Sequence, residues 1–498
     1  MKSPLFAAAA ALCLLTACDG GIDLPGTNKV SVGALKKAAT DPRVERFYEA
    51  RQWQPAWNSG RTRELMEALD GAERHGLDAA RFRAMVEQAP NVAGEEAALT
   101  LAAIAYAETL AMGQIDPKKV FDLYTLPRPK VDVVAGLQKA VEADNLGGWL
   151  ESLAPQDAEY KAMSGQYVAL MKQIREIKAA PVPHGEAIKP GAQDPRVPAI
   201  AQALTNAGFL KTRAGALYDA NMVRGIKGLQ AEAGLKSDGV IGNETIDALN
   251  TVLSDHAQQL ALNMERRRWL SRDVAETRID VNTAAALMNY YRGGDLAHSA
   301  RVVVGKRGDE TPQLASNMFQ LVANPPWNVP QGIAEEEILP KGAAYMASQG
   351  MSMVDGRVVQ KPGPKAALGL VKFDLDNKHA IYLHDTPSKA AFDTLFRHKS
   401  HGCVRVHNAV DFARRLARDN DALSEFDRKL ASGETSTVAL KEEMPVRLLY
   451  HTVFVDNAGQ LVYLPDPYGW DKRLADALGL KAPKRYQTDD DTAVELGP

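Results

Sequence analysis

The spacing of apolar residues changes from a helical to a strand-like period about half-way along the chain. Between residues 41 and 180 apolar positions recur every three or four residues, as at Leu65, Leu69 and Ala72, before Gly76 ends the pattern. Beyond residue 275 they fall in short β-type runs, at 277–281, 300–305, 318–323, 379–384, 446–455 and 460–464. The turn between the last two runs predicts a hairpin. The sequence therefore predicts a multidomain α+β protein, helical first and strand-rich afterwards.

Composition marks the boundaries between the predicted segments. A stretch rich in Pro and Gly separates the first helical domain from a compact helical module, in which Asn243 is placed to cap the last helix. A helix-prone insertion, called the capping insertion below, interrupts the strand-rich domain. The predicted segments are a tether at 18–40, a helical domain at 41–180, a linker at 181–193, a three-helix module at 194–252, a strand-rich domain at 275–475 with its insertion at about 333–365, and a disordered tail at 484–498.

The amino terminus has the pattern of an export signal. Lys2 precedes an apolar run at 5–15 that is too short to span a bilayer. Leu-Thr-Ala-Cys, ending at Cys18, resembles a bacterial lipoprotein signal, which implies removal of residues 1–17 and lipidation of Cys18. An ordinary secretory signal is the alternative and predicts the same compartment. The resemblance implies a periplasmic, lipid-anchored protein, and Asp19 slightly favours the inner membrane.

Composition narrows the classes of function. The 498 residues include 24% charged and 45% hydrophobic residues, as in a globular protein, and the net charge of −3 gives no support to nucleic-acid binding. No His, Cys and Asp cluster has metal-ligand spacing, and no Gly-rich loop would cradle a phosphate, so we expect no cofactor. Cys13 and Cys18 belong to the export segment. The body of the protein therefore has one thiol and no partner for a disulfide.

That thiol belongs to Cys403, in the sequence Ser400-His401-Gly402-Cys403, and His384 lies 19 positions upstream. A lone Cys with a distant His is the pattern of a thiol nucleophile and its base, since the thiolate is the attacking species. Taken alone, the same Cys could be a small buried hydrophobic residue.

Two sets of motifs resemble known families. The segment Asp238-Gly239-Val240-Ile241-Gly242 with the following Thr and Leu-Asn resembles the three-helix peptidoglycan-binding module, and a spacer that has lost glycan affinity is the alternative. His384 and the Ser-His-Gly-Cys motif resemble the signature of L,D-transpeptidases with the YkuD-type catalytic fold. Further motifs at 324–330, 337–340, 360–365, 367–369 and 382–387 resemble the large periplasmic branch, which carries a helical scaffold, an inserted peptidoglycan-binding module and a capping insertion.

The resemblance implies a reaction. Cys403 would attack the carbonyl between the third residue of a stem peptide, a diaminopimelate, and the fourth, a D-Ala. D-Ala would leave, and an amine of a second stem would resolve the thioester to give a 3→3 cross-link. Water, a D-amino acid or a protein could be the acceptor instead, giving carboxypeptidase, exchange or attachment activity. The family also implies acylation by carbapenems. The alternative from a different class of function is a non-catalytic lipoprotein that binds the cell wall.

The resemblance also implies roles for single residues. His384 would be the base, oriented by the backbone carbonyl of Asp385. The side chain of Asp385 is expected to have a structural role. The amides of Gly402 and Cys403 and the hydroxyl of Tyr382 would stabilise the oxyanion. His401 and Ser400 would make local hydrogen bonds. Arg405 would lower the thiol pKa, bind a substrate carboxylate or hold the loop.

Overall fold

A computed structural model describes residues 30–211 and 216–484 of the chain. The predicted signal, with Cys18 and Asp19, lies outside these residues, as does nearly all of the predicted tail. Within the described ranges no helix combines the length and the apolar character that crossing a bilayer requires.

The first domain is helical, as its apolar spacing predicted. The helix α5 (Val92–Met112) is buried on most sides, so it forms the centre around which the others pack. Asn91 caps it, since its side-chain oxygen accepts from the amide of Gly94 at 2.9 Å. The surrounding helices are α1 (Val32–Ala38), α2 (Pro42–Ala50), α3 (Ser59–Asp70), α4 (Ala79–Glu87), α6 (Val133–Glu142), α7 (Leu146–Leu153) and α8 (Ala158–Glu176).

The helical module contains α9 (Val197–Asn206), α10 (Ala220–Ala233) and the start of α11 (Asn243–Trp269). The last helix extends beyond residue 252, where the module was predicted to end, because α11 is 27 residues long and its second half is buried against α5 and α8. Asn243 does not cap it. Gly242 occupies the cap position, and the side-chain oxygen of Asn243 instead accepts from the amide of Gly185 at 3.3 Å.

The strand-rich domain is built on a closed ring of eight strands. Its order is β3, β11, β9, β8, β4, β12, β1 and β2, and β2 pairs back to β3. The ring strands are β1 (Arg278–Asn282), β2 (Leu287–Arg292), β3 (Asp295–Gly305), β4 (Leu314–Ala323), β8 (Val371–Leu375), β9 (Leu383–His384), β11 (Val404–Val406) and β12 (Ser436–Leu449). A further strand, β10 (His398–Ser400), pairs in parallel with the end of β3. The helices α14 (Ala409–Asp419), α15 (Leu423–Ala431) and α16 (Trp470–Leu478) complete the domain.

The capping insertion is only partly helical, which corrects the sequence expectation. It starts with α12 (Gln331–Ile333), continues through a π turn (Ala334–Ile338) and a 3₁₀ turn (Leu339–Lys341), and reaches α13 (Gly342–Ser348). It then forms a hairpin of β6 (Met351–Val354) and β7 (Arg357–Gln360), and β7 also pairs with β5 (Trp327–Asn328). Asp355 and Gly356, both with positive φ, make the turn. An Asp-Gly pair between apolar residues is a hairpin signal that sequence reasoning passed over.

Two predicted strands also differ from the structure. In the run at 379–384 only Leu383 and His384 are in a strand, because Asn377 holds the preceding backbone in a turn through hydrogen bonds with Ile381. The run at 446–455 divides between β12 and β13 (Val453–Val455). The predicted hairpin is confirmed, since β13 pairs with β14 (Leu461–Tyr463).

Candidate active site

Cys403 lies in a four-residue loop, called here the Cys403 loop (residues 400–403), which joins β10 to β11. The hydroxyl of Ser400 donates to the carbonyl of Cys403 at 2.6 Å and accepts from the amide of Gly402 at 3.2 Å. Gly402 has a φ of 110°, a conformation that disfavours side chains. Thr311 donates from its hydroxyl to the carbonyl of Gly402 at 2.8 Å. Hydrogen bonds within the loop and from Thr311, which precedes β4, therefore hold the loop in place. The amide of Gly402, which was predicted to be an oxyanion donor, already donates to Ser400 inside the loop.

His384 occupies the strand next to the Cys403 loop. On β9 it pairs with Arg405 of β11, and its Nδ1 lies 2.5 Å from the carbonyl oxygen of Asp385. A carbonyl only accepts, so this contact places the ring proton on Nδ1 and leaves the lone pair on Nε2. The imidazole is thereby fixed in the tautomer that a general base requires.

A row of three basic residues crosses the sheet at this point. Arg405 on β11 pairs with His384 on β9, and His384 pairs with Lys372 on β8. Directly paired residues share one face of a sheet, and their neighbours in the strands point into the apolar core. Lys372 was not identified from the sequence, although its alternation with buried Val371 and Phe373 places it on this face.

The environment of the thiol opposes its ionisation. Burial raises the pKa of Cys403 to about 11, against smaller opposite effects from hydrogen bonds with Tyr382 and from the charges of Lys372 and Arg405. Arg405 is itself fully buried. The resting group is therefore a neutral thiol at neutral pH, and an attacking thiolate has to be formed by proton transfer to a neighbouring base.

Tyr382 packs between the thiol and the basic row. Its hydroxyl is within hydrogen-bonding reach of Cys403, and burial followed by the charge of Cys403 raises its pKa well above the usual range. Its ring lies 4.4 Å from the ammonium of Lys372 and 5.6 Å, edge to face, from the ring of His384. The hydroxyl is accordingly a neutral donor close to the sulfur.

The side chain of Asp385 has a structural environment. It accepts from the amide of Leu370 at 3.0 Å and forms an ion pair with Lys389. Gly369 passes so close that a Cβ there would lie 2.3 Å from the carboxylate. The carboxylate thus holds the 366–370 turn beside β8, while the backbone carbonyl of the same residue orients His384.

His401 connects the Cys403 loop to the capping insertion. Its Nε2 lies 2.7 Å from Oε1 of Glu337, in the π turn, and 3.3 Å from Nζ of Lys306. The sequence predicted local hydrogen bonding for His401 but did not identify either partner. In the sequence, Glu337 stands out only as part of the 337–340 motif, and no spacing rule relates it to His401, which is 64 positions away.

The structure also defines the surroundings of several other residues. His398 is partly buried, and its Nε2 donates to the carbonyl of Thr283 at 2.9 Å. Burial lowers its pKa to about 4. His379 is exposed. Met346 and Met351 pack inside the capping insertion.

Asn408 precedes α14, but its backbone is left-handed and its side chain does not cap the helix. Within residues 30–211 and 216–484 no group of three or more His, Cys, Asp or Glu side chains is arranged to hold a metal ion.

Comparison with known families gives three matches along the chain. Residues 42–166 match a scaffold domain, residues 193–249 a "Putative peptidoglycan binding domain", and residues 276–428 an L,D-transpeptidase catalytic domain. The last match includes the Cys403 loop, His384 and the capping insertion. The chain carries an L,D-transpeptidase catalytic domain. The three matches follow the order of scaffold, peptidoglycan-binding and transpeptidase domains that the resemblance implied.

Individual relatives were also compared. A protein of Haemophilus influenzae named "Putative L,D-transpeptidase" is 34% identical over 246 residues, which cover 44% of this chain. The aligned chain spans about half the length of that curated relative. Solved L,D-transpeptidases of Xylanimonas cellulosilytica and Enterococcus faecium have TM-scores of 0.19 and 0.21 at 16% and 13% identity. The alignments cover 53% and 57% of this chain and 98% and 100% of those chains.

Proposed function

We propose that this chain forms 3→3 cross-links in peptidoglycan through a thioester on Cys403. The observation that carries the proposal is the orientation of His384, whose Nδ1 is bound to the carbonyl of Asp385 on a strand that pairs beside the Cys403 loop. An oriented imidazole next to a lone thiol is the arrangement that thiol acyl transfer needs. The matched transpeptidase and peptidoglycan-binding domains support the substrate class.

The acylation step follows from the protonation states. Because the pKa of Cys403 is raised to about 11, the thiol gives its proton to Nε2 of His384 as the sulfur attacks the carbonyl carbon of the third stem residue. The C–N bond to D-Ala then breaks, and the imidazolium returns the proton to the departing amine. The Tyr382 hydroxyl, a neutral donor beside the sulfur, stabilises charge on the reacting groups.

The second step reverses the proton path. The amine of a second stem attacks the thioester carbon and gives its proton to His384. The C–S bond breaks, the new amide forms, and the sulfur recovers the proton. Water in place of the amine gives a tripeptide, and a D-amino acid or a protein amine gives exchange or attachment. Acylation by a carbapenem would follow the same first step, with the opened lactam held as a thioester.

The lipoprotein-like amino terminus supports a proposal about where this reaction takes place. We propose that the mature chain begins at Cys18, is lipidated there, and acts in the periplasm on wall that the 193–249 domain binds. A labelled fatty acid found on Cys18 by mass spectrometry of the purified protein tests this placement. A mature chain that begins elsewhere and carries no lipid contradicts it.

The decisive experiment gives disaccharide-tetrapeptide to the wild-type chain and to Cys403→Ala, His384→Gln and His379→Gln variants, with products read by mass spectrometry. We expect a dimer that has lost one D-Ala with wild type and with the exposed control His379→Gln, and none with the other two. Tripeptide without dimer indicates a carboxypeptidase. A dimer formed by Cys403→Ala refutes the thioester route.

A further inference from the structure

A second candidate site lies between the scaffold domain and the outside of the ring of strands. A cavity of about 600 Å³, called here the scaffold cavity, is enclosed by the α7–α8 connection, the end of α11 and the strands β1, β2 and β12. Arg278 and Asp280 of β1 line it, whereas Ile279 and Val281 between them point into the core that contains Cys403. Because neighbours in a strand point to opposite faces, the scaffold cavity lies on the outer face of the ring, and neither His384 nor any residue of the Cys403 loop lines it.

The charges around the scaffold cavity do not balance. Four guanidinium groups face three carboxylates. Arg267 is bound to Asp157 at 2.7 Å and to Glu159 at 2.6 Å. Asp280 is shared by Arg278 and Arg447, at 2.8 and 2.7 Å.

The fourth cation, Arg272, has no ion-pair partner among the described residues and donates only to backbone carbonyls, the closest being that of Leu270 at 2.6 Å. Arg272 is exposed, so a ligand can reach it, and the excess of one positive charge in the lining favours a ligand with a single negative charge.

The ring of His451 lies in the same wall and is 95% buried, with a relative exposure of 5%. Neither of its nitrogens has a hydrogen-bond partner within residues 30–211 and 216–484. Burial, followed by the charges of Arg267, Arg266 and Arg447, lowers its pKa well below the usual value, so the ring is neutral. A neutral imidazole offers one donor and one acceptor, and buried polar groups are rarely left without partners.

We propose that the scaffold cavity binds a peptide-like carboxylate, with the carboxylate at Arg272 and a neighbouring amide at His451. The volume suits a small molecule rather than a bare ion, and Leu270, Leu449 and Phe454 supply apolar wall for its body. A stem-peptide terminus is the source, a choice that rests on the proposed function. Such a ligand would contact the scaffold and the catalytic domain at once, at a place that none of the residues proposed for cross-linking lines.

The test measures binding of acetyl-D-alanine by calorimetry to the full chain carrying Cys403→Ala, which prevents turnover. We expect saturable binding that acetyl-D-alaninamide does not reproduce. Adding Arg272→Gln or His451→Phe weakens the binding about tenfold or more, because the first removes the partner of the carboxylate and the second the buried partner of the amide. Adding Arg292→Gln, on β2 but outside the cavity, leaves it unchanged.

Several results would overturn the proposal. Equal binding of acetyl-D-alaninamide would show that the site does not recognise the carboxylate. Equal competition by inorganic phosphate would show that it is a general oxyanion site rather than a peptide site. Binding lost on adding His384→Gln but kept with His451→Phe moves the ligand to the catalytic cleft. If Arg272→Gln does not fold, the near-isosteric His451→Phe decides. Since no outcome depends on turnover, the proposed cross-linking activity stands or falls separately in the tetrapeptide assay.

Discussion

Glu337 and His401 join the capping insertion to the Cys403 loop, with Oε1 and Nε2 2.7 Å apart. The contact spans 64 positions of sequence and lies two residues from the thiol. This contact couples the position of the capping insertion to the loop that carries the nucleophile.

The first prediction concerns this contact. Glu337→Ala should let the capping insertion move away from the loop and speed alkylation of Cys403 by a bulky maleimide about tenfold, since a charge-assisted hydrogen bond contributes about 1.5 kcal/mol or more. Peptide mapping by mass spectrometry follows the modification of Cys403. Glu336→Ala, at the exposed neighbouring position, is the matched control. Equal rates in the two variants would show that the contact does not restrain the insertion.

The second prediction concerns ionisation of the thiol. Since burial raises the pKa of Cys403 to about 11, the thiolate fraction and the iodoacetamide rate at Cys403 should still be rising at pH 10. The same thiol in the urea-unfolded chain should titrate near the ordinary value of about 8.5. A folded protein whose rate levels off below pH 8 would instead contain a preformed thiolate and imidazolium pair.

The third prediction separates two costs at a glycine. Gly369→Ala should destabilise the catalytic domain by roughly 2–4 kcal/mol, because the backbone at this position has a positive φ and the new Cβ also meets the Asp385 carboxylate. Gly350→Ala, which has positive φ but nothing within 4 Å, should cost about 1 kcal/mol. Thermal unfolding of both variants gives the difference. Similar losses would mean that the turn moves to accommodate the methyl group at Gly369.

The fourth prediction concerns stability in acid. His398 has its pKa lowered from 6.5 to about 4, so its neutral form is favoured by folding. Its contribution is complete above pH 6.5, where it amounts to roughly 3 kcal/mol at about 1.4 kcal/mol per pKa unit, and it is lost as the pH falls towards 4.

Urea unfolding at several pH values checks this slope. His398→Gln keeps a donor towards Thr283 but does not titrate, so its stability should fall less steeply between pH 6.5 and 4. The exposed His379→Gln should behave as wild type. A His398→Gln slope equal to that of wild type would place the buried proton site elsewhere.

The sequence predicted those features that local patterns encode. The helices of the first domain, the 453–463 hairpin and the pairing of a lone Cys with His384 all depend on spacing within one element or motif. Features that depend on long-range packing were missed. Lys372, Glu337 and the burial of His398 come from strands and turns that are distant in sequence, and the length of α11 comes from its burial against other domains.

The helix α11 belongs to two domains at once. It begins in the peptidoglycan-binding module and ends, about 40 Å later at 1.5 Å per residue, against α5 and α8 of the scaffold and α16 and β13 of the catalytic domain. Because the helix is unbroken, it has no hinge, and it transmits a mechanical load on the module to the rest of the protein. A force that pulls on the module would therefore reach the scaffold and the domain that holds the thiol through one continuous helix.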